Sequence, residues 1–223
     1  MDAKDWDQRY AASPLLWSAE PNRWVVQHAT ALPPGRALDL AAGEGRNAVW
    51  LASVGWTALA VDFSPVAVER VHELAVDRLG PRADAVSARV EDVLTWAPPI
   101  EAFDLVLLSY LHLGAADRRG VLARAAAAVA PGGHLLVVGH DARNLVEGYG
   151  GPSDPAVLYG PQDVATDLAD SGLHVVHAAT EPRPVSDPDG VDHVALDVVV
   201  LARRDVVARV EDVVANVEGE PHA

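Results

Sequence analysis

The sequence predicts a single α/β domain with a mainly parallel, seven-stranded sheet and helices on both faces. Three observations carry this. Ala37 to Ala41, then Gly43 and Gly45, then a helix-like stretch from Arg46 read as strand, tight turn and helix. Phe103 to Leu108 is an almost unbroken apolar run of strand length, as in a central strand covered on both sides. Elsewhere, short apolar runs alternate with helical stretches, the pattern of repeated βα units.

Taken in order, residues 5–31 carry Trp6, Tyr10, Trp17 and Trp24 ahead of the first strand. Aromatics there either close over a ligand or anchor an accessory helix to the domain. Pro21-Asn22 opens a helix ending near Leu32, and Pro33-Pro34-Gly35 turns the chain into the first strand. Past the glycines, Ala48, Val49, Leu51 and Ala52 give a helix its apolar face and Gly55 closes it. Thr57 to Val61 is the second strand, with Asp62 just beyond its carboxyl end. Ser64 caps the helix Pro65 to Leu79, because proline favours the position after a cap, and Gly80-Pro81 breaks that helix. Ala85 to Val90 is the third strand and Phe103 to Leu108 the fourth. A helix from Ala115 to Ala130 and a fifth strand from Leu135 to Gly139 follow.

Asp141 to Pro161 is rich in glycine and proline and has no period, which marks a functional lid or mobile loop. Pro161 opens a helix through Ala169, and Leu173 to Ala179 is the sixth strand. Glu181 to Gly190 reads as a proline-rich turn reaching back over the site, and Val194 to Ala202 is the seventh strand. Its short connection to the sixth makes that pair antiparallel. Val206, Val210, Val213 and Val217 fall at helical spacing behind Asp205, a stripe that packs on its own domain or mates with a second copy. The expected organisation is a domain at 1–204, split into an N-terminal helical lid at 1–35 and a sheet core at 36–204. Residues 205–223 form a helical or flexible extension, and the protein is a monomer or a homodimer through it.

Composition narrows the function. At 223 residues, 50% hydrophobic, one core suffices, burying roughly 70% of the unfolded surface. With no cysteine, a thiolate metal site and a cysteine nucleophile are excluded, and no metal site is expected. Net charge is −15, from 17 basic and 32 acidic residues without a basic block, which argues against nucleic acid as a partner. Lys4 is the lone lysine, so Schiff-base chemistry has almost no candidate. The first residues lack a secretion signal, and the alanine-rich stretch Val121 to Ala130 is far shorter than the ~20 residues of a membrane span. A cytoplasmic protein without membrane contact is expected.

The glycine turn admits two ligands. Gly43-Glu44-Gly45-Arg46-Asn47-Ala48 fits Gly-x-Gly-x-x-Gly/Ala, and Asp62 follows at about the 20-residue distance of a ribose-binding acid, as in NAD(P)-dependent oxidoreductases. Against this, Asp39 ends the first strand and would meet a pyrophosphate as a like charge. S-adenosylmethionine (SAM) has no phosphate and carries an ammonium and a sulfonium, which an acid beside the turn suits.

The run Ala37-Leu-Asp-Leu-Ala-Ala-Gly-Glu-Gly-Arg-Asn-Ala-Val-Trp-Leu-Ala52, followed by Val61-Asp62-Phe63-Ser64, resembles the first two motifs of class I SAM-dependent methyltransferases. It is similar in particular to the branch of tellurite-resistance and thiopurine methyltransferase-like enzymes, over roughly residues 5–203. The resemblance implies a Rossmann-like sheet with an antiparallel last strand, SAM as cofactor, and a lid beginning at Asp5 to Tyr10. It also implies cofactor-binding roles for Asp39, Ala41, Gly43, Gly45, Arg46, Asp62, Phe63, Ser64, Asp92, Val93 and Ser109. Asp62 would take the ribose hydroxyls, Phe63 would lie against adenine, Asp92 and the Val93 amide would meet its edge, and Ser109 would offer backbone near the methionine part. Trp96 either walls the adenine pocket or packs in the core.

After the fourth strand the chain reads Ser109-Tyr110-Leu111-His112-Leu113, where methylases of planar amides or bases carry Asn-Pro-Pro-Tyr. That departure points to a small-molecule acceptor at S, O, N or a metalloid. His112 and His140 are the candidate catalytic bases, since imidazole exchanges protons near neutral pH; His112 has an alternative as a capping or core histidine, and His140-Asp141 is the rival constellation at a strand carboxyl end. Tyr10, Trp17, Arg143, Tyr149 and Arg183 are the candidate acceptor-binding residues, with Tyr159 in the same loop. The rival readings are an NAD(P)-dependent oxidoreductase and a module that binds SAM without turnover.

Overall fold

A computed structural model describes residues 3–12 and 19–206. Trp17 and the valine stripe at Val210, Val213 and Val217 lie outside the described residues. The elements run α1 (Ala3–Ala11), α2 (Arg23–Ala29), β1 (Arg36–Leu40), α3 (Arg46–Ser53), β2 (Thr57–Asp62), α4 (Pro65–Leu79) and β3 (Val86–Val90). There follow β4 (Phe103–Ser109), α5 (Ala115–Ala128), β5 (Val129–His140), α6 (Asn144–Glu147), α7 (Pro161–Asp167), β6 (Leu173–Ser186) and β7 (Asp192–Arg204).

All seven strands form one sheet in the order β3-β2-β1-β4-β5-β7-β6. The first five are mutually parallel, and β7 lies antiparallel between β5 and β6. Strand order reverses between β1 and β4, so the carboxyl ends of those strands open a crevice of the kind that binds ligands in open α/β sheets.

Strand alternation divides the core into two layers. Ala37, Leu105 and Leu107 face the layer shared with Trp24, Leu51 and Val71, while Leu38, Leu40, Val106 and Leu108 face the layer shared with Leu122, Leu135 and Val164. Leu38, Leu51, Leu105, Leu107 and Leu122 are fully buried, each contributing roughly 1.5–3 kcal/mol. Burial on both faces is what its unbroken apolar run equips β4 for. Trp96 is half-buried and packs against the second layer.

Two boundaries differ most from expectation. β5 begins at Val129 rather than Leu135, because Val129 pairs with Phe103 before the register slips around Pro131 to Gly133 and resumes at His134 opposite Leu105. The stretch expected as a turn at Glu181 to Gly190 is largely strand: β6 runs to Ser186, paired through Arg183 with Ala195 and through Ser186 with Asp192. β6 is the sheet edge, where only alternate residues need a ladder N–H. Pro182 and Pro184 flank Arg183 at that alternation, so the prolines do not end the strand. Among the described residues, no helix is long and apolar enough to cross a membrane.

Candidate active site

The first half of the site is the turn from β1 into α3. Gly43 and Gly45 have φ of 56° and 81°, and even Ala41 is left-handed at 54°. At Gly45 glycine is required twice over: beyond its φ, a Cβ would stand 2.8 Å from both methyl carbons of Val71 on α4. Asp62 ends β2 beside this turn. Its Oδ2 accepts the Gly43 amide at 2.8 Å and its Oδ1 accepts the Ser64 amide at 3.0 Å. A carboxylate has about four lone-pair sites, so capacity for two more donors remains. Ser64 caps α4 as expected, its Oγ accepting the Ala67 amide at 3.1 Å while donating to Oδ1 of Asp7 on α1. The N-terminal helix is thereby tied to the end of β2.

Asp39 is the electrostatic centre of this half. It is 1% exposed, and neither carboxylate oxygen has a hydrogen-bond partner among the described residues. Burial, reinforced by Asp62, pushes its pKa up to about 7 against the pull of Arg46 and the Ala48 amide. A buried carboxylate without donors is costly and calls for a cationic or donor-rich ligand. Arg46, half-buried on the first turn of α3, is held below the usual arginine range by burial. Tyr110, Asp39 and Glu44 pull it up, and the like charge of Arg183 pulls it down.

The adenine-side candidates sit farther along the same edge of the sheet. Phe63 and Val93 are half-buried. Asp92 is exposed, and its Oδ1 accepts the Leu94 amide at 2.8 Å, shaping the bend after β3. Ser109, last in β4, has a buried hydroxyl without a hydrogen-bond partner among the described residues.

The second half gathers on Asp197 of β7, which is fully buried. Its Oδ2 accepts from Trp24 Nε1 at 2.9 Å, from the Tyr110 hydroxyl at 2.8 Å and from Arg183 Nε at 2.6 Å. Its Oδ1 accepts from the second Arg183 nitrogen at 3.3 Å and lies 3.5 Å from His140 Nδ1. Tyr110 is a non-glycine residue at φ 58°, and its phenol pKa is raised by burial and by Asp197. Such strain marks a backbone that its surroundings hold in place. Sequence reasoning missed Asp197, although a lone acid inside Val194-Ala-Leu-Asp-Val-Val-Val was a visible signal.

The two candidate histidines stack on each other, with ring centroids 5.3 Å apart at 18°. His112 accepts the His140 amide on Nε2 at 3.1 Å, and burial, with His140 beside it, lowers its pKa to about 4. His112 is thus neutral at physiological pH with Nε2 engaged by the backbone. His140 keeps Nε2 without a hydrogen bond among the described residues. Burial lowers its pKa, Asp197 opposes this, and Arg183 adds to it.

The remaining acceptor candidates scatter. Tyr149 stacks on His193 of β7 at 3.9 Å and 6°, and Arg143 is an exposed partner of Asp141 at 3.5 Å. Tyr10 is buried with its ring 5.6 Å from that of Trp6. Tyr159 does not face the site openly: it is 3% exposed and packs in the second core layer.

Comparison with known proteins bears on the domain and its fold. Over 108 residues, 47% of the chain, it is 33% identical to a protein named hemagglutinin 1 from Eikenella corrodens, and the match covers 34% of that protein. The chain therefore spans about a third of the length of the curated relative it matches. Among solved structures, one described as conversion of a disulfide bond into a thioacetal group during echinomycin biosynthesis superposes with TM-score 0.68 at 21% identity. That match covers 92% of this chain and 90% of that one. TehB from Haemophilus influenzae gives 0.65 at 18%, over 81% and 61% of the two chains. Magnesium protoporphyrin IX methyltransferase from Synechocystis PCC 6803, with bound SAM, gives 0.60 at 16%, over 91% and 79%. At these identities the structures bear on the fold alone. Residues 37–133 match the family model described as a methyltransferase domain, and the sheet around them, with its reversed β7, has the fold of class I SAM-dependent methyltransferases.

Proposed function

We propose that the protein transfers the methyl group of SAM to a small-molecule acceptor. The observation that carries this is the buried carboxylate of Asp39 beside the Gly43–Gly45 turn, whose oxygens have no close hydrogen bond among the described residues. A sulfonium nucleoside with an α-ammonium group satisfies it, and a pyrophosphate does not. When bound, SAM supplies a sulfonium-activated methyl group.

The chain's own residues do the rest. Asp39 and Arg46 hold the amino-acid end through its ammonium and carboxylate. Backbone at Ala41, Gly43, Gly45 and Ser109 permits close approach. The free lone pairs of Asp62 accept from the ribose hydroxyls, with Ser64 keeping that turn in shape. Phe63, Asp92 and Val93 take the adenine. Alignment of acceptor and methyl carbon at about 3 to 3.5 Å, with water excluded, supplies much of the rate in such a transfer.

The net charge of −15 supports a small acceptor over nucleic acid. On the acceptor side, Arg183 and His140 at Asp197 are the best-placed candidates. Arg143, Tyr149 and Tyr10 are more peripheral, and Trp17 lies outside the described residues.

Calorimetry with SAM and, separately, NADH tests the cofactor. Mass spectrometry with deuteromethyl SAM across thiols, phenols, amines and metalloid oxyanions tests the transfer. Binding of SAM alone with label on an acceptor is the expected result. NADH binding without SAM binding would return the oxidoreductase reading, and tight SAM binding without transfer would favour a non-catalytic module.

A further inference from the structure

We infer that His140 and Asp197 form an imidazole–carboxylate couple that removes a proton from the methyl acceptor, which is therefore a thiol or a phenol. This rests on the methyltransferase reading above and names the substrate class and the positioning residue that reading leaves open.

The argument begins with the two oxygens of Asp197. Oδ2 is saturated by Trp24, Tyr110 and Arg183 Nε, so its direction is set by groups from α2, the segment after β4, and β6. Oδ1 has only the longer 3.3 Å contact to Arg183 and faces His140 Nδ1 at 3.5 Å. Among the described residues Nδ1 is buried without another partner, so a proton on it turns to this oxygen. That tautomer leaves the lone pair on Nε2. The ring cannot turn away, because His112 stacks on it and the backbone of the following loop presses on it: a Cβ on Gly151 would lie 2.9 Å from its Cγ and Cδ2.

The neighbouring charges choose among acceptors. His140 faces Asp197 from β7, Arg183 from β6, and Tyr110 and His112 from the segment after β4. Arg46 is within electrostatic reach of both Tyr110 and Arg183. The Arg183 guanidinium, which acts on His140, favours an acceptor that becomes an anion over one that becomes an ammonium. Metalloid oxyanions arrive already ionised and need no base. In the transfer, the X–H proton of the thiol or phenol passes to Nε2 and its electron pair forms the X–CH3 bond. The S–CH3 bonding pair stays on sulfur as a neutral thioether. The imidazolium, stabilised by Asp197, later gives its proton to water.

The test combines spectroscopy with kinetics. In imidazole 1H–15N spectra of the full chain with S-adenosylhomocysteine, His140 is expected as the Nδ1–H tautomer. Asp197→Asn should lower its pKa and Arg183→Met should raise it. A wild-type Nε2–H tautomer, or shifts of the same sign in both variants, overturns the couple. If Asp197→Asn does not fold, the tautomer and Arg183→Met decide alone. Kinetically, His140→Gln should slow methylation of 2-mercaptoethanol by about 100-fold or more, but of a nitrothiophenol, already a thiolate at neutral pH, by about threefold or less. Equal losses on both overturn the base role. Failure of S-adenosylhomocysteine to bind wild type, seen by calorimetry, would count against the methyltransferase reading itself, while the tautomer measured on the same chain still decides the couple.

Discussion

Oδ2 of Asp62 accepts the amide of Gly43 at 2.8 Å, so the last residue of β2 braces the turn that leaves β1. The same carboxylate holds the Ser64 amide and so fixes the entry to α4. One side chain thus sets the spacing between the two parts of the proposed cofactor site.

Removing it should show in both stability and binding. Asp62→Ala leaves two buried amides without an acceptor, at on the order of 1–3 kcal/mol each. The expected outcome is a loss of about 2–4 kcal/mol in urea unfolding and at least about tenfold weaker SAM binding by calorimetry. Asp62→Asn retains an acceptor oxygen and should recover more of the stability than of the affinity. Wild-type values for the alanine variant would contradict the bracing role.

Asp39 predicts a pH dependence with a definite sign. Its folded-state pKa of about 7 lies above the ordinary aspartate value of 3.8, so the folded chain binds this proton more tightly than the unfolded chain does. Its stabilising contribution is complete below the unfolded value and is lost as pH rises through about 7. The ligand-free protein should therefore melt lower at pH 8 than at pH 5.5, and Asp39→Asn should flatten that trend. SAM binding should show the opposite slope, tightening as pH rises over the same range because the cation meets the ionised form. Thermal melts and calorimetry at the two pH values measure both; a rise in ligand-free stability with pH that vanishes in Asp39→Asn would contradict the assignment.

Gly45→Ala tests the turn itself. The φ of 81° costs any side chain about 1–2 kcal/mol, and the 2.8 Å approach to Val71 adds to it. Adding Val71→Ala should relieve the contact and leave the backbone penalty. The double variant should therefore bind S-adenosylhomocysteine better than Gly45→Ala alone, though below wild type. Equal binding by single and double variants would show that the contact with Val71 carries no weight.

Much of the sheet was legible because its signals are local. Ser64-Pro65 announced the start of α4, Gly80-Pro81 its end, and the apolar run at Phe103 the central strand. The misreadings came where pairing with a distant partner overrode local composition. Val129 is strand because Phe103 lies beside it, and Pro182 and Pro184 are strand because the outer edge of β6 asks for no N–H there.

The sequence by itself determined the strand–turn–helix cradle, since glycine φ, a serine cap and a strand-end acid act within a few residues of one another. It also determined the excess of negative charge and, through the order of βα units, the class of the fold. Only the tertiary structure decided what surrounds Asp197. Trp24 and Tyr110 are 173 and 87 residues away from it, and they meet because β7 is inserted between β5 and β6. A carboxylate buried in that low-dielectric strand must be matched by donors from wherever the sheet brings them. No local pattern records which residues those are.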